Sequence, residues 1–372
     1  MLDVAIIGGG PAGASAALSL RKLMPEAKIA IFDASHGERW KPGETLPPSA
    51  TAILESLGCG AAFQCVREQG WALESFGTRA AWGGAELYEH DFLYSLHGNG
   101  WRLDRARFDA MLLECAVAAG VEVHRGMALM HSTGEAGEWR LELQGARRCA
   151  RFVIDASGRA SRFAGQRGAR PVLGDRLAGV FILFEGANAE DTLIEATEHG
   201  WWYSTTVPGG KAVVAWMSDA DLIRAMELKS AVSWNALLAQ STHTRRRLHG
   251  AIAKGQPMIF AAHSQRLSSV AGHGWAAAGD AATTFDPLSS HGILKALRNG
   301  KMASFVAVDF LLRGEQTHDR YSKLVLAEYE AYEEAKRAYY REEQRWPGST
   351  FWARRHAEIS NEGGKASPQS TS

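Results

Sequence analysis

The 372-residue sequence predicts an α/β fold, in which a three-layer domain with a parallel sheet carries an inserted domain with a mixed sheet. Two observations predict this fold. First, short apolar strands recur along the chain, and each leads into a turn containing glycine or aspartate: residues 2–7, 28–33, 150–155 and 274–282. Second, the segments between these strands contain aromatic, glycine-punctuated runs that are typical of another sheet: residues 71–99 and 169–263.

These patterns divide the chain into segments. The three-layer domain is assigned residues 1–70, 100–168 and 264–320, and the inserted substrate domain is assigned residues 71–99 and 169–263. Residues 321–360 are expected to form C-terminal helices. Residues 320–345 are highly charged, which favours a solvated helix or a docking arm, and the Gly, Ser and Gln bias of residues 361–372 predicts a disordered tail.

The first strand leads into a glycine-rich turn and then a helix, in the order Gly8-Gly9-Gly10-Pro11-Ala12-Gly13. Gly8 permits the turn, Gly10 lets the backbone approach a pyrophosphate, and Gly13 allows helix and strand to pack closely. Asp33 ends the second strand, 20 residues after Gly13, where a ribose-binding acid is expected. The turn therefore predicts a Rossmann-type domain with a dinucleotide at the helix N-terminus.

Composition excludes several classes of function. The 41 basic and 41 acidic side chains cancel, so no overall positive field favours nucleic acid. Four cysteines form no CxxC pair and no metal-like spacing with histidine, which predicts reduced thiols and no metal site. No apolar run approaches the roughly 20 residues that a membrane span requires, and no leader segment precedes the first strand. We therefore expect a soluble, cytoplasmic protein.

Two further turns make the prediction more specific. Asp155-Ala156-Ser157-Gly158 ends one strand, and Gly279-Asp280 ends another, with Pro287 and Gly292 downstream. With the first glycine turn, these elements resemble in order and spacing the FAD-dependent hydroxylases of the p-hydroxybenzoate hydroxylase type. The resemblance implies FAD as the cofactor.

The same resemblance implies roles for individual residues. Asp33 would hold the adenosine ribose, and Arg105 would contact the cofactor, as would Lys41 and the Asp155–Gly158 turn. Asp280 would hydrogen-bond the ribityl chain, and Pro287 would lie beside the isoalloxazine. Backbone amides around Gly292 and Ile293 would face the flavin N1 and O2 edge, where a helix dipole stabilises the negative charge of reduced flavin.

A proline-rich loop, Lys41 to Pro47, looks like the Gly-Glu-x-x-x-Pro loop of tryptophan halogenases. Those enzymes use a lysine downstream of this loop to handle hypohalous acid. This chain contains no lysine between Lys41 and Lys211, and the segment Trp201–Pro208 lacks the halogenase Trp-x-Trp-x-Ile-Pro signature. Halogenation is therefore disfavoured and kept as an alternative.

A smaller group within this superfamily is more similar: the LodB/GoxB-like flavoproteins of quinone-cofactor biogenesis. Three segments carry the resemblance: Gly200–Tyr203, Ser264–Leu267 and Phe285–Ile293. It implies an FAD-dependent monooxygenase that hydroxylates an indole or phenol through a flavin C4a-hydroperoxide. The substrate would be a small aromatic molecule or a tryptophan in a partner quinoprotein oxidase precursor. No second GxGxxG occurs, so the electrons would come from NAD(P)H bound without its own Rossmann domain or from a separate flavin reductase.

The acid and base groups are less well determined by the sequence. His291 lies in the loop expected beside the flavin, Glu44 lies in the proline-rich loop, and Pro287 borders the reacting ring. A packing or structural hydrogen-bonding role remains open for His291 and Glu44. Trp201, Trp202 and Tyr203 alternate along a strand, so only one or two of them can face the cavity.

Three alternative functions also remain open. They are an FAD-dependent reductase of isoprenoid double bonds that resembles geranylgeranyl reductase, a tryptophan halogenase-like enzyme, and a flavin-bound chaperone that performs no oxygenation.

Overall fold

A computed structural model describes residues 1–37, 40–91, 98–187, 191–314 and 316–357. The strands are β1 Leu2–Ile7, β2 Ile29–Asp33, β3 Thr45–Leu46, β4 Ala72–Ser75, β5 Gly77–Ala81, β6 Tyr88–Asp91, β7 Gly100–Leu103, β8 Glu122–Arg125, β9 Leu129–Thr133, β10 Trp139–Leu143, β11 Ala146–Asp155, β12 Pro171–Leu173, β13 Leu177–Glu185, β14 Thr192–Thr197, β15 Gly200–Val207, β16 Lys211–Asp219, β17 Ile252–Ala261, β18 Gln265–Leu267, β19 Ala271–Gly272, β20 Trp275–Ala277 and β21 Thr283–Thr284. The α-helices are α1 Pro11–Leu23, α2 Ala50–Leu57, α3 Gly60–Glu68, α4 Arg105–Ala118, α5 Arg162–Gln166, α6 Ala220–Ala225, α7 Ala231–Ala239, α8 His243–Arg247, α9 Gly292–Val308, α10 His318–Glu342 and α11 Thr350–Ala357.

The first domain is built on a parallel sheet. Its strands run in the order β20-β11-β1-β2-β8, and all four pairings are parallel. β9 and β10 add an antiparallel extension to β11. The central strands β1, β2 and β11 contain nearly continuous apolar runs because helices cover the sheet, and Val4 and Ile154 are fully buried. These strands end at the turns that the sequence singled out.

Helices α1 and α9 pack against each other at very short range. A Cβ atom added to Gly300 would lie 2.1 Å from the carbonyl oxygen of Ala12. Small polar side chains continue the contact, since Ser15 Oγ donates to the Leu297 carbonyl at 2.6 Å and Ser304 Oγ donates to Ser19 Oγ at 2.7 Å. Small residues are required here because any larger side chain would separate the two backbones.

The second sheet has seven strands in the order β17-β13-β16-β15-β14-β5-β6. Only the pairing of β14 with β5 is parallel within this described sheet, so it is mixed. Along β15, Trp201 and Tyr203 pack on one face with Trp82, whereas Trp202 packs on the other face with Trp234. The alternation expected from the sequence is therefore present.

The C-terminal helices are an integral part of the fold. Three tyrosines of α10 are buried, Tyr321, Tyr329 and Tyr340, and α11 places Phe351 and Trp352 fully inside the aromatic core of the second sheet. This corrects the interpretation of residues 320–345 as a solvated helix or docking arm, because one face of α10 is packed against the protein. The predicted tail, residues 361–372, lies outside the described residues. In the described part of the chain, no helix combines the length and apolarity needed to cross a membrane.

The contact between α1 and α9 leads to a first prediction. Gly300→Ala favours the helix by about 1 kcal/mol but forces its methyl group into the Ala12 carbonyl. We expect a net loss of about 1–3 kcal/mol in the free energy of unfolding, measured by denaturant titration of the flavin-free protein. Gly165→Ala in α5 is the matched control, since no atom lies within 4 Å of its added Cβ, and it should leave stability unchanged or slightly raised. Equal stabilities for the two variants would contradict the close packing.

Candidate active site

A cavity of about 320 Å³ lies where the N-termini of α1 and α9 approach the second sheet. Ten of the residues predicted for the site line it: Gly10, Pro11, Ala12, Glu44, Arg105, Gly158, Asp280, Pro287, Gly292 and Ile293. Residues from five separate stretches of sequence are therefore brought together. The opposite wall comes from the second sheet and is mainly apolar: Phe181, Tyr203, Met217 and Phe260.

The glycine turn at the start of α1 has the geometry that its sequence predicted. Gly8 has a φ of +110°, and a Cβ there would lie 2.2 Å from the Ala156 carbonyl oxygen. A Cβ on Gly13 would lie 2.0 Å from the carbonyl oxygen of Gly8, so both positions require glycine. At Gly10, in contrast, no atom beyond the adjoining backbone lies within 4 Å of an added Cβ. The backbone amides at this helix end are therefore open to an anionic group such as a pyrophosphate.

Asp33 and Lys41 line a second, smaller cavity of about 40 Å³. The Asp33 carboxylate accepts a hydrogen bond from the Gly9 amide at 2.9 Å, which fixes it beside the glycine turn. Asp109, which the sequence did not single out, pairs with Lys41 at 3.1 Å and with Arg105 at 3.2 Å. Because Arg105 also lines the main cavity, Asp109 connects the walls of the two cavities.

Asp155 does not reach either cavity. Its side chain is fully buried, and one carboxylate oxygen accepts hydrogen bonds from the amides of Phe163 and Ala164, both at 2.8 Å. The other accepts from the Ser157 hydroxyl at 2.6 Å. The expected contact between the Asp155 side chain and a cofactor is therefore corrected: Asp155 instead holds the turn that places Gly158 in the cavity wall.

Asp280 reaches the main cavity from a tight turn. A Cβ on the preceding Gly279, whose φ is +62°, would lie 2.7 Å from the Ala12 Cβ. The Nζ of Lys295 lies 2.9 Å from Asp280, and the Lys295 side chain is only 1% exposed. Burial opposes ionisation of Asp280, but the positive charges of Lys295 and Arg159 outweigh it and lower its pKa. Asp280 is thus a fixed negative charge in the wall.

Glu44 presents the opposite electrostatic situation. Its side chain is 3% exposed, and burial raises its pKa to about 7 despite the nearby Arg105. Oε2 accepts from the Gly43 amide at 3.1 Å, whereas Oε1 has no hydrogen-bond partner among the described residues. The neighbouring Thr45 hydroxyl lies 3.2 Å from that of Tyr203. Glu44 can therefore hold a proton near neutral pH at the edge of the cavity.

His291 is not brought into the cavity wall. It precedes α9, its side chain is exposed, and Nδ1 contacts the carbonyl of Ser289. The residues on either side of it, Ser290 and Gly292, do line the cavity, as does Pro287. This placement corrects the expectation that the His291 ring borders the site.

Several residues of the site could not be predicted from the sequence. Phe181, Met217 and Phe260 belong to apolar strands whose pattern indicates burial without indicating a cavity. Of the three residues Trp201–Tyr203, Tyr203 lines the main cavity, and both tryptophans are fully buried. Lys295 carried a usable signal, because a cation stands there among the apolar residues Ile293, Leu294 and Leu297 at the start of α9.

Comparison with known proteins identifies the family. The FAD-dependent oxidoreductase LodB of Marinomonas mediterranea is 31% identical over 370 residues, covering 95% of this chain and 97% of LodB. The chain belongs to the LodB family of FAD-dependent oxidoreductases. A family profile described as lycopene cyclase protein matches residues 3–188, which include the glycine turn and Asp155.

Two solved structures show the fold of this LodB-family chain. CmlS, a flavin-dependent halogenase, has a TM-score of 0.84 at 23% identity and covers 98% of this chain and 70% of its own. The peptidyl tryptophan dihydroxylase QhpG has a TM-score of 0.75 at 22% identity and covers 95% of this chain and 78% of its own. These likenesses confirm the predicted α/β fold. The residues present fit FAD, since the unobstructed amides at Gly10 suit a pyrophosphate.

The raised pKa of Glu44 leads to a second prediction. The folded state retains the Glu44 proton up to about pH 7, whereas the unfolded chain loses it near 4.5. Folding stability should therefore fall as pH rises between these values, by about 3 kcal/mol at most. In flavin-free protein, Glu44→Gln should gain stability relative to wild type by up to this amount as pH rises. Chemical denaturation at a series of pH values measures the difference. Glu55→Gln on the exposed face of α2 is the control. If the difference in the free energy of unfolding between Glu44→Gln and wild type did not change with pH, the raised pKa of Glu44 would be contradicted.

Proposed function

We propose that this LodB-family protein is a flavin-dependent monooxygenase that hydroxylates an indole or phenol ring, with a tryptophan of a quinoprotein oxidase precursor as its substrate. One observation carries the proposal: Glu44, a carboxyl group with a pKa of about 7, faces a cavity whose opposite wall is apolar and aromatic. Such a site combines a proton donor and acceptor with a surface suited to an aromatic ring.

The residues proposed to hold FAD follow the course of the two cavities. Gly10, Pro11 and Ala12 would bind its pyrophosphate, in a turn that Gly8 and Gly13 make possible, with Asp33 and Lys41 on the adenosine side. Arg105, Gly158 and Asp280 would hold the middle of the cofactor, with Gly279 shaping the turn before Asp280, and Pro287, Gly292 and Ile293 would border the ring. When bound and reduced, FAD supplies activation of dioxygen and transfer of one oxygen atom. The electrons are proposed to come from NAD(P)H or from a separate flavin reductase.

The chain's own groups would orient the substrate and move its proton. Phe181 and Phe260 pack edge to face and exclude water from the apolar wall, and Trp40 makes edge contacts with both rings. A carboxyl group with a pKa of about 7 can donate a proton in one step and accept one in the next. We therefore assign the acid and base role to Glu44 and none to His291.

The cavity wall also bears on the halogenase alternative. The residues that line the described cavity include no lysine, whereas the resemblance to halogenases implies one for handling hypohalous acid. QhpG, a structural neighbour, acts on peptidyl tryptophan according to its name, which supports a polypeptide substrate for this chain.

A third prediction tests the reaction itself. Reduced FAD, dioxygen and the candidate precursor polypeptide are mixed with the protein, and the polypeptide is analysed by mass spectrometry. We expect the mass to increase by one oxygen atom per hydroxylation, with the label taken from ¹⁸O₂ and located on a tryptophan. The same mixture with added bromide should give no brominated product.

The other outcomes distinguish the alternatives. A brominated polypeptide would favour the halogenase function. A polypeptide that binds but gains no oxygen would leave the flavin-bound chaperone, and flavin oxidation by an isoprenoid alkene without oxygen would favour the reductase.

A fourth prediction concerns Glu44 in this reaction. Glu44→Gln keeps the shape of the side chain but removes its titratable proton. We expect kcat to fall by about 10²–10⁴-fold while FAD is still bound, because general acid and base catalysis contributes about this much. Flavin absorbance confirms occupancy, and Glu55→Gln on α2 is the control. Unchanged turnover in Glu44→Gln would remove Glu44 from the mechanism.

A further inference from the structure

Asp286 lies in the cavity wall and is held from a distant part of the chain. Its side chain is 1% exposed, and one carboxylate oxygen accepts from the Leu288 amide at 2.8 Å. The other accepts from the hydroxyl of Tyr340, at 2.8 Å, on helix α10. The Tyr340 hydroxyl in turn accepts from Trp201 Nε1 at 3.0 Å. Tyr340 therefore links the cavity wall to the core of the second sheet.

A second tyrosine of α10 holds the same segment. The Tyr332 hydroxyl accepts a hydrogen bond from the Asp286 amide at 2.6 Å and lies 2.6 Å from Ser264 Oγ. Its ring stacks on that of Phe285, with centroids 4.0 Å apart and planes 7° apart. Tyr332 and Tyr340 are about two helical turns apart and so face the same side of α10. Together they fix both the backbone and the carboxylate of Asp286.

The charges around Asp286 come from two further elements. Lys336, between the two tyrosines on α10, pairs with Asp175 at 3.0 Å, just before β13, and with Glu333 at 2.8 Å. Burial and the negative charge of Asp175 raise the pKa of Asp286 to about 6, although Lys336 and the hydrogen bonds from Leu288 and Tyr340 oppose this rise. Asp286 therefore changes charge in mildly acidic solution, and the Tyr340 hydroxyl favours its ionised form.

We propose that Tyr340 is a positioning residue for flavin binding, which acts by holding the ionised Asp286 carboxylate and, with Tyr332, the Phe285–Pro287 segment of the cavity wall. Protonation of Asp286 removes the anionic acceptor from the Tyr340 hydroxyl and weakens the hold on this segment. FAD affinity then falls as Asp286 is protonated. The inference rests on FAD binding by the LodB family and does not require the proposed hydroxylation.

The experiment measures the Kd of FAD, by flavin fluorescence, from about pH 5 to about pH 8. For the wild type we expect an affinity loss of about tenfold toward low pH, with a midpoint near the Asp286 pKa of about 6. In Tyr340→Phe the Asp286 carboxylate loses a donor, so the midpoint should rise by about one pH unit. In a Glu44→Gln background, which removes the other carboxyl group of this cavity that titrates in the same range, Asp286→Asn should abolish the pH dependence, and Tyr340→Phe should add no further pH shift to it.

Tyr339→Phe is the matched control, because it also removes a hydroxyl group from α10. That hydroxyl lies 3.2 Å from the Tyr88 hydroxyl, and no described hydrogen bond joins it to Asp286 or Phe285. The profile of Tyr339→Phe should match the wild type. A uniform loss of affinity in Tyr340→Phe with an unchanged midpoint would overturn the proposal, since it would indicate a purely structural role. Persistence of the pH dependence in Asp286→Asn in the Glu44→Gln background would also overturn it, and this second variant decides the matter if Tyr340→Phe does not fold. Failure of hydroxylation with these binding profiles intact would bear on the proposed function alone.

Discussion

The close contact between α1 and α9 is the constraint on which the rest of the site depends. Ala12 touches both α9, at Gly300, and the turn at Gly279, and no side chain larger than hydrogen fits at either glycine without displacing it. This contact makes two helix N-termini converge on one cavity, so that partial positive charges from both face the same ligand. Larger side chains at this crossing would push the two helices apart. The backbone amides at Gly10 and those near Gly292 would then no longer face the same cavity.

The local parts of this arrangement could be predicted from sequence, and the long-range parts could not. Gly8, Gly13 and Asp280 lie in short motifs whose backbone geometry is dictated by neighbouring residues: the two glycines make the close backbone contacts expected of them, and Asp280 lines the cavity. Asp155 lies in a short motif of its own, the turn to Gly158, but its carboxylate accepts from the amides that begin α5, and only the path of the following chain reveals these partners. The position of the His291 ring differs from the prediction for a related reason. A residue next in sequence to a lining residue can point its side chain away from the cavity, particularly at the start of a helix.

The C-terminal helix shows how a charged composition conceals a packed face. Along α10, residues Tyr321, Val325, Tyr329, Tyr332 and Tyr340 recur at helical spacing, and all but one are buried. Tyrosine has an apolar body and a polar tip, so a stripe of tyrosines can pack a helix and still deliver hydroxyl groups to a site. Counting tyrosine as apolar in the periodicity would have indicated this face. Most of the charged residues between them occupy the solvent side, whereas Lys336 and Glu333 pair with each other near the packed face.

The surroundings of three carboxyl groups around the cavity give these groups different pKa values. Asp280 is kept ionised by a buried lysine, Asp286 is held by a tyrosine and titrates near pH 6, and Glu44 is desolvated and titrates near pH 7. Environments that push the pKa values of neighbouring acids apart also separate their roles. A permanently charged Asp280 can bind but cannot exchange protons at neutral pH, and Asp286 has both carboxylate oxygens engaged by donors. Glu44 alone among these three combines a pKa near neutrality with an oxygen that has no described partner, so proton transfer in the proposed reaction falls to it.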